Sequence, residues 1–177
     1  MTPTIIVVTG AESTGKSTLA AALARALHAP LVPEFARTYA ERAQRPLTAA
    51  DVEPIARGQR SAEDAAIARA RRSGQLVLDT DLLSTLVYAR HYYRDTMPEL
   101  DELVRARRPA LYLLCDIDIP WVPDPVRDST TARPSQHADF LRFIAAGGTP
   151  VTIVSGGRAE RLDLALHAVR AAAQAGD

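Results

Sequence analysis

A three-layer α/β sandwich around a five-stranded parallel sheet is the fold this 177-residue sequence predicts. Three observations carry that expectation. First, four short runs are almost continuously apolar: TIIVVTG (4–10), QLVLDTD (75–81), ALYLLCDID (110–118) and PVTIVSG (150–156). Strands buried on both faces read this way, whereas half-exposed strands alternate. Second, helix-like stretches separate the runs, and strands that alternate with helices build parallel sheets. Third, the length is close to the ~150 residues of one domain, with no internal repeat and no low-complexity linker. The chain is therefore read as a single domain over residues 1–177.

The elements follow in order. The run at 4–10 opens the sheet, and folded structure is expected to start there. STLAAALARALH (17–28) carries Leu19, Leu23 and Leu27 four apart, on one helical face. APLVPEF (29–35) is a weaker strand whose prolines favour a sheet edge. TAADVEPIARGQRSAEDAAIARARR (48–72) reads as a helix with Thr48 as N-cap and Pro54 as a potential break. Helices are also expected at 82–93, 98–108, 135–148 (closed by glycines) and 158–174. The segment 117–135, IDIPWVPDPVRDSTTARPS, has neither period and holds four prolines. An irregular stretch of this length suits a lid over a site or a disordered segment.

Composition narrows the function classes. Twenty-one basic residues balance 21 acidic ones, so the net charge is zero. A general nucleic-acid binder or an anionic-membrane binder would be basic. No run reaches the ~20 apolar residues of a membrane span, and the N-terminus has no secretory pattern. Cys115 stands alone and cannot form an internal disulfide, so a cytoplasmic protein is expected, with Cys115 as a buried small hydrophobe. The four histidines have no zinc-ligand spacing. Self-association is left open. Of 21 basic residues twenty are arginine, which makes the single lysine, Lys16, worth locating.

Lys16 lies in GAESTGKS (10–17), which satisfies G-x-x-x-x-G-K-[ST], the phosphate-binding loop, with a strand before it and a helix after it. Gly10 and Gly15 let the loop wrap. The backbone N–H groups of Ser13, Thr14 and Gly15 and the following helix start then face phosphate oxygens. Lys16 brings a mobile ammonium to the β,γ-bridge of ATP, Ser17 a hydroxyl to Mg²⁺, and Thr18 a contact to the α-phosphate. Glu12 is unusual in an anion cradle, and its side chain is expected to point away. Two strands end in acids. The adjacent strand supplies Asp79 and Asp81, with Asp79 toward Mg²⁺; Asp81 doubles as a helix N-cap candidate. Asp116 and Asp118 are the alternative pair.

A phosphate loop alone specifies a nucleotide and no reaction. The chain lacks a G-protein base-reading N-K-x-D and any added sensor region, which leaves a small-molecule kinase as the main reading. Such an enzyme needs an acceptor carboxylate and arginines on the transferring phosphoryl. Glu34 in VPEFAR and Asp81 compete to orient the acceptor hydroxyl, with Arg37 nearby. Arg127 and Arg133 in the lid are candidates for neutralising transition-state charge, or plain surface charge. Trp121 suits stacking on a base, or anchoring the lid. Tyr88 and Tyr92 share a helix face and line a nucleoside pocket or pack in the core.

The order GAESTGKSTL, PEFAR, LVLDTDLLST with VYARHYY, LYLLCDIDIPWVPDPVRD and VTIVSGG resembles the ribosylnicotinamide kinase domain of bacterial NadR proteins, from residue 4 to about 165. The resemblance implies a P-loop NTPase fold of nucleoside/nucleotide-kinase type with strand order 2-3-1-4-5. It also implies ATP-dependent phosphorylation of the 5′-hydroxyl of nicotinamide riboside, giving NMN and ADP. It places Lys16 and Ser17 at phosphate and Mg²⁺, Asp81 and Glu34 in the acceptor region, Trp121 and Arg127 in the lid, and Ser155 to Arg158, with Gly156, beside adenine. Which carboxylate is the base stays open. NadR proteins usually carry an adenylyltransferase domain, and no H-x-G-H motif occurs here, so this chain is expected to make NMN and not NAD, and not to repress transcription. Two other readings remain: a kinase for another nucleoside or nucleotide, and a non-catalytic regulatory ATPase.

Overall fold

The computed structural model describes residues 2–71, 73–94, 98–120 and 132–175. Its strands are β1 (Thr4–Gly10), β2 (Leu31–Val32), β3 (Gln75–Asp79), β4 (Leu111–Cys115) and β5 (Val151–Val154). Its helices are α1 (Lys16–Ala26), α2 (Phe35–Ala43), α3 (Val52–Ala70), α4 (Leu82–Tyr93), α5 (Pro98–Ala106), α6 (Arg133–Gly147) and α7 (Arg158–Ala175). All strand pairs are parallel, in the order β2-β3-β1-β4-β5. This is the order the resemblance implied. Trp121 and Arg127 lie outside the described residues.

Both faces of the central strands are covered, which is why their sequences do not alternate in polarity. Side chains still alternate in direction. Val7, Leu76, Leu78, Tyr112 and Leu114 pack on one side with residues of α3, α4 and α6. Ile6, Val8, Val77, Leu113 and Cys115 pack on the other with α1 and α7. Cys115 is fully buried, and burial pushes its thiol up to about 11. The weak strand at 31–32 does lie at an edge. β5 is the other edge and departs from expectation: Val151 and Ile153 are 38% and 45% exposed. An apolar run does not by itself report a missing neighbour.

Three helix expectations change. Pro54 does not break α3, because it sits in the first turn, where backbone N–H groups have no intrahelical acceptor. A single 3₁₀ turn (Ala49–Asp51) precedes that helix, capped by Thr48. Thr48 N–H donates to Asp51 at 2.8 Å, and Arg45 adds a bidentate pair that holds the Asp51 carboxyl well below the usual range. α6 begins at Arg133, two residues before the expected start. α2 was not expected at all. No described helix is long and apolar enough to cross a membrane.

The register sets the site. Asp79 pairs with Val8 and Cys115 with Gly10, so the loops after β1, β3 and β4 leave the sheet at one edge. The chain winds from β1 to β3 on one side and to β4 on the other. Ligand crevices form outside such a reversal point, at the carboxyl ends of the strands.

Candidate active site

The turn after β1 is built from left-handed residues. Gly10, Ser13 and Gly15 have φ of 142°, 53° and 81°. That sequence of positive and negative φ aims backbone N–H groups into a concavity. Gly10 is also sterically required: a Cβ there would lie 2.9 Å from the Cys115 carbonyl oxygen. The Ala11 carbonyl accepts from both Thr14 Oγ1 and Lys16 Nζ, each at 2.8 Å. Lys16 is thereby fixed on the arc of the loop, 6% exposed. Gly15 caps α1, and Ser17 and Thr18 are exposed on its first turn.

Asp79 sits beside this loop, 4% exposed. Burial raises its pKa, the Ser17 hydroxyl bonded to it opposes that, and Glu34, Lys16 and Arg37 all act on it electrostatically. Asp79, Ser17, Lys16, Glu34 and Arg37 therefore form one charged cluster. Asp79 Oδ1 is buried with no hydrogen-bond partner among the described residues. A buried carboxylate oxygen beside a serine hydroxyl fits a hard divalent cation such as Mg²⁺.

Asp81 departs from this cluster. Had the strand run through residue 81, both acids would share a face. The strand ends at Asp79, and Thr80 takes φ 66°, a conformation a β-branched residue rarely adopts. That turn swings Asp81 under the sheet. There its carboxylate accepts from Leu83 N–H at 3.1 Å, capping α4, and from Tyr112 Oη at 2.7 Å. It faces Glu63 and Arg107 in a small separate pocket and does not line the large cavity. The acceptor role offered for Asp81 is thus not supported by its placement; its N-cap role is what the geometry displays.

Burial and then the neighbouring Glu63 carboxylate raise Asp81 to about 7 from 3.8. The folded state therefore holds this proton more tightly than the unfolded chain. Its contribution to stability is full below about pH 4 and is lost as pH rises through about 7. At ~1.4 kcal/mol per pKa unit the effect is on the order of 4 kcal/mol. Asp81→Asn keeps an oxygen acceptor and removes the titration. Urea melts at pH 4.5 and 7.5 should show the wild type losing stability relative to the variant; parallel behaviour would refute the shift.

A cavity of about 1300 Å³ opens over the loop. Ser13, Gly15, Thr18, Gly156 and Arg158 line it from the phosphate-loop and α7 side. Glu34, Arg37, Tyr88 and Tyr92 line it from α2 and α4. Glu34 is 5% exposed at the N-cap of α2, a helix that buries Ala40 and half-buries Phe35 and Tyr39. Tyr88 and Tyr92 stack at 6.3 Å and 19°. Tyr88 Oη donates to the Gly10 carbonyl at 3.1 Å. Glu12 is buried and does not line this cavity; Tyr92 Oη donates to its carboxylate. Arg133 is buried, and its guanidinium donates to the Ile119 carbonyl at 2.9 Å, so it braces the start of α6 against the end of the β4 loop.

Arg161 was not singled out by the sequence. It is 3% exposed and donates to the carbonyls of Gly156 and Thr14, both at 2.9 Å, and to the Asp118 carboxylate. Asp118 Oδ2 in turn accepts from Gly156 N–H at 2.6 Å. The phosphate loop, the end of β4 and the β5–α7 loop are thus held by one guanidinium. Among twenty arginines no sequence signal distinguishes it. Asp118, the lesser alternative for Mg²⁺, belongs to this brace.

Fold and site together define a domain of the P-loop kinase type. The chain belongs to the AAA domain family, whose model matches residues 5–161. A solved structure of NadR protein in complex with NR is 27% identical, with a TM-score of 0.79 over 93% of this chain and 49% of that one. NadR protein in complex with NAD and AMP-PNP is 26% identical, TM-score 0.76, over 92% and 48%. The chain spans about half the length of these NadR proteins. Its fold is that of a NadR-type P-loop kinase domain, as the sequence resemblance implied. Thymidylate kinase from Ehrlichia chaffeensis shares the fold at 14% identity, TM-score 0.67, over 97% and 99% of the two chains. No curated protein matches the chain.

Proposed function

We propose that this chain transfers the γ-phosphoryl of ATP to the 5′-hydroxyl of nicotinamide riboside, giving NMN and ADP for NAD synthesis in the cytoplasm. The observation that carries the reading is that Glu34 and the phosphate loop line one cavity. A buried carboxylate for an acceptor and a cradle for a donor then face the same space.

In this reading Lys16 reaches the β,γ-bridge from its place at the Ala11 carbonyl. Gly10, Ser13, Thr14, Gly15 and Thr18 hold phosphates by backbone and hydroxyl donors. Gly156 and Arg158 border adenine. Ser17 and Asp79 would hold Mg²⁺, which supplies charge neutralisation on the phosphates when bound. Glu34 orients the acceptor hydroxyl and accepts its proton, and Arg37 balances the nearby carboxylates. Tyr88 and Tyr92 form an aromatic wall that suits a cationic pyridinium ring. Trp121 and Arg127 are proposed as stacking and phosphoryl-contact residues. Catalysis is then mainly alignment and electrostatics, as in other phosphoryl transfers.

The test is acceptor-dependent ADP release over a panel of nucleosides. Nicotinamide riboside should support the fastest release. Another nucleoside winning would move the assignment to that substrate, and acceptor-independent release would favour a regulatory ATPase. Glu34→Gln should lower kcat by about 10²–10⁴-fold, with AMP-PNP binding retained by calorimetry. Near-normal turnover in that variant would remove Glu34 from the mechanism.

A further inference from the structure

Phosphate loops work through their backbone, and a long acidic side chain adds nothing to an anion cradle. Glu12 nevertheless occupies the third position of this loop and is 2% exposed. A charge buried this deeply persists only where it is held. Two contacts hold it, and a third joins its two partners. Tyr92 Oη donates to its Oε1. Its own N–H meets Gln136 Oε1 at 3.4 Å, and Gln136 Nε2 reaches Tyr92 Oη at 3.4 Å. The loop, α4 and α6 are thus joined in one closed ring of side chains. The second carboxylate oxygen is buried with no hydrogen-bond partner among the described residues, so Tyr92 is its main tether.

Tyr92 also faces the cavity. The residue is 44% exposed, and its ring stacks on Tyr88. The Tyr88 hydroxyl reaches the same loop at the Gly10 carbonyl, 3.1 Å away. Two rings of the acceptor wall therefore each end in a hydroxyl bonded to the loop that holds the phosphates. A ligand stacked against those rings fixes both hydroxyls and, through them, Gly10 and Glu12. Conversely, a loop closed on phosphates fixes the rings.

We propose that Glu12 is a positioning residue which, through Tyr92, couples occupancy of the acceptor pocket to nucleotide binding on the phosphate loop. This rests on reading the cavity as a joint ATP and nucleoside site. Such coupling is reciprocal: each ligand tightens the other by the same factor.

The experiment is a pair of calorimetric titrations with Mg²⁺–AMP-PNP, alone and with saturating nicotinamide riboside. The wild type should bind the nucleotide about tenfold more tightly in the presence of riboside. In Tyr92→Phe, which keeps the ring and loses the hydroxyl, that ratio should fall to about one, whatever happens to each affinity alone. Glu12→Ala should do the same. Glu12→Gln, which still offers an oxygen to Tyr92, should restore most of the ratio. A merely structural contact would lower the melting temperature or shift both affinities together and leave the ratio unchanged. An unchanged ratio in Tyr92→Phe overturns the proposal. If the riboside does not bind the wild type, the assignment of that substrate fails. The ratio is then measured with the nucleoside that supports ADP release, where the same outcomes decide. A chain that binds AMP-PNP but no nucleoside overturns both.

Discussion

Lys16→Ala is expected to cut turnover at least about a hundredfold while leaving the fold in place. The two halves of that expectation come from different contacts. For activity, the ammonium is the mobile positive charge of the loop, held at the Ala11 carbonyl within reach of bound phosphates. Backbone N–H groups cannot replace a charge that follows the transferring group. For stability, the bond the variant loses at the Ala11 carbonyl is backed by Thr14 Oγ1, which donates to the same oxygen. Its loss costs about 1 kcal/mol, or roughly 2–4 °C in a domain of this size. Steady-state kinetics and a thermal melt check both halves, and turnover close to wild type would remove Lys16 from the mechanism. Lys16→Arg is the sharper variant. The chain uses arginine at its other twenty basic positions, so a composition preference alone would tolerate arginine here. A wide, planar guanidinium does not fit the volume of a compact ammonium beside Ala11 and Asp79. Its activity should stay near that of the alanine variant.

What was legible in the sequence was local or periodic. The phosphate loop is a contiguous signature, and its left-handed residues fall at Gly10, Ser13 and Gly15. The central strands announced themselves because both faces are buried. Failures arose where tertiary context decides. Val151 and Ile153 read as core, yet β5 is an edge strand among the described residues. α2 is short and directly abuts the weak strand, so its helix formers Ala, Arg and Glu in FARTYAERA went unread. Asp81 was grouped with Asp79 because both close the apolar run QLVLDTD, yet the strand ends at Asp79. The left-handed Thr80 turns the chain there, and no residue type at position 80 signals such a turn. Glu12 was seen to be odd, but its partners lie 80 and 124 residues away. Contacts at that separation have no periodicity to reveal them.

Arg161 is the extreme case of a residue silent in sequence and central in structure, and removing it should be the most destabilising change in the site. Arg161→Met keeps the apolar stem and deletes the guanidinium. The carbonyls of Thr14 and Gly156 then lose donors, and the Asp118 side chain, 34% exposed, loses its cation. Burial alone would raise the Asp118 pKa, but the Gly156 N–H and then Arg161 outweigh it and hold the carboxyl below its ordinary value. Without Arg161 only backbone N–H groups oppose the effect of burial. Losing the hydrogen bonds of a buried guanidinium costs about 2–3 kcal/mol, which in a domain of this size lowers the melting temperature by roughly 4–12 °C. The same contacts fix the Gly156 loop against the phosphate loop, so the ATP KM should rise more than the riboside KM. The double variant with Asp118→Asn separates the causes. If the uncompensated carboxylate dominates, the second change should recover part of the lost stability. If the melting temperature of Arg161→Met stays within about 2 °C of wild type, the guanidinium is not what holds these three loops together.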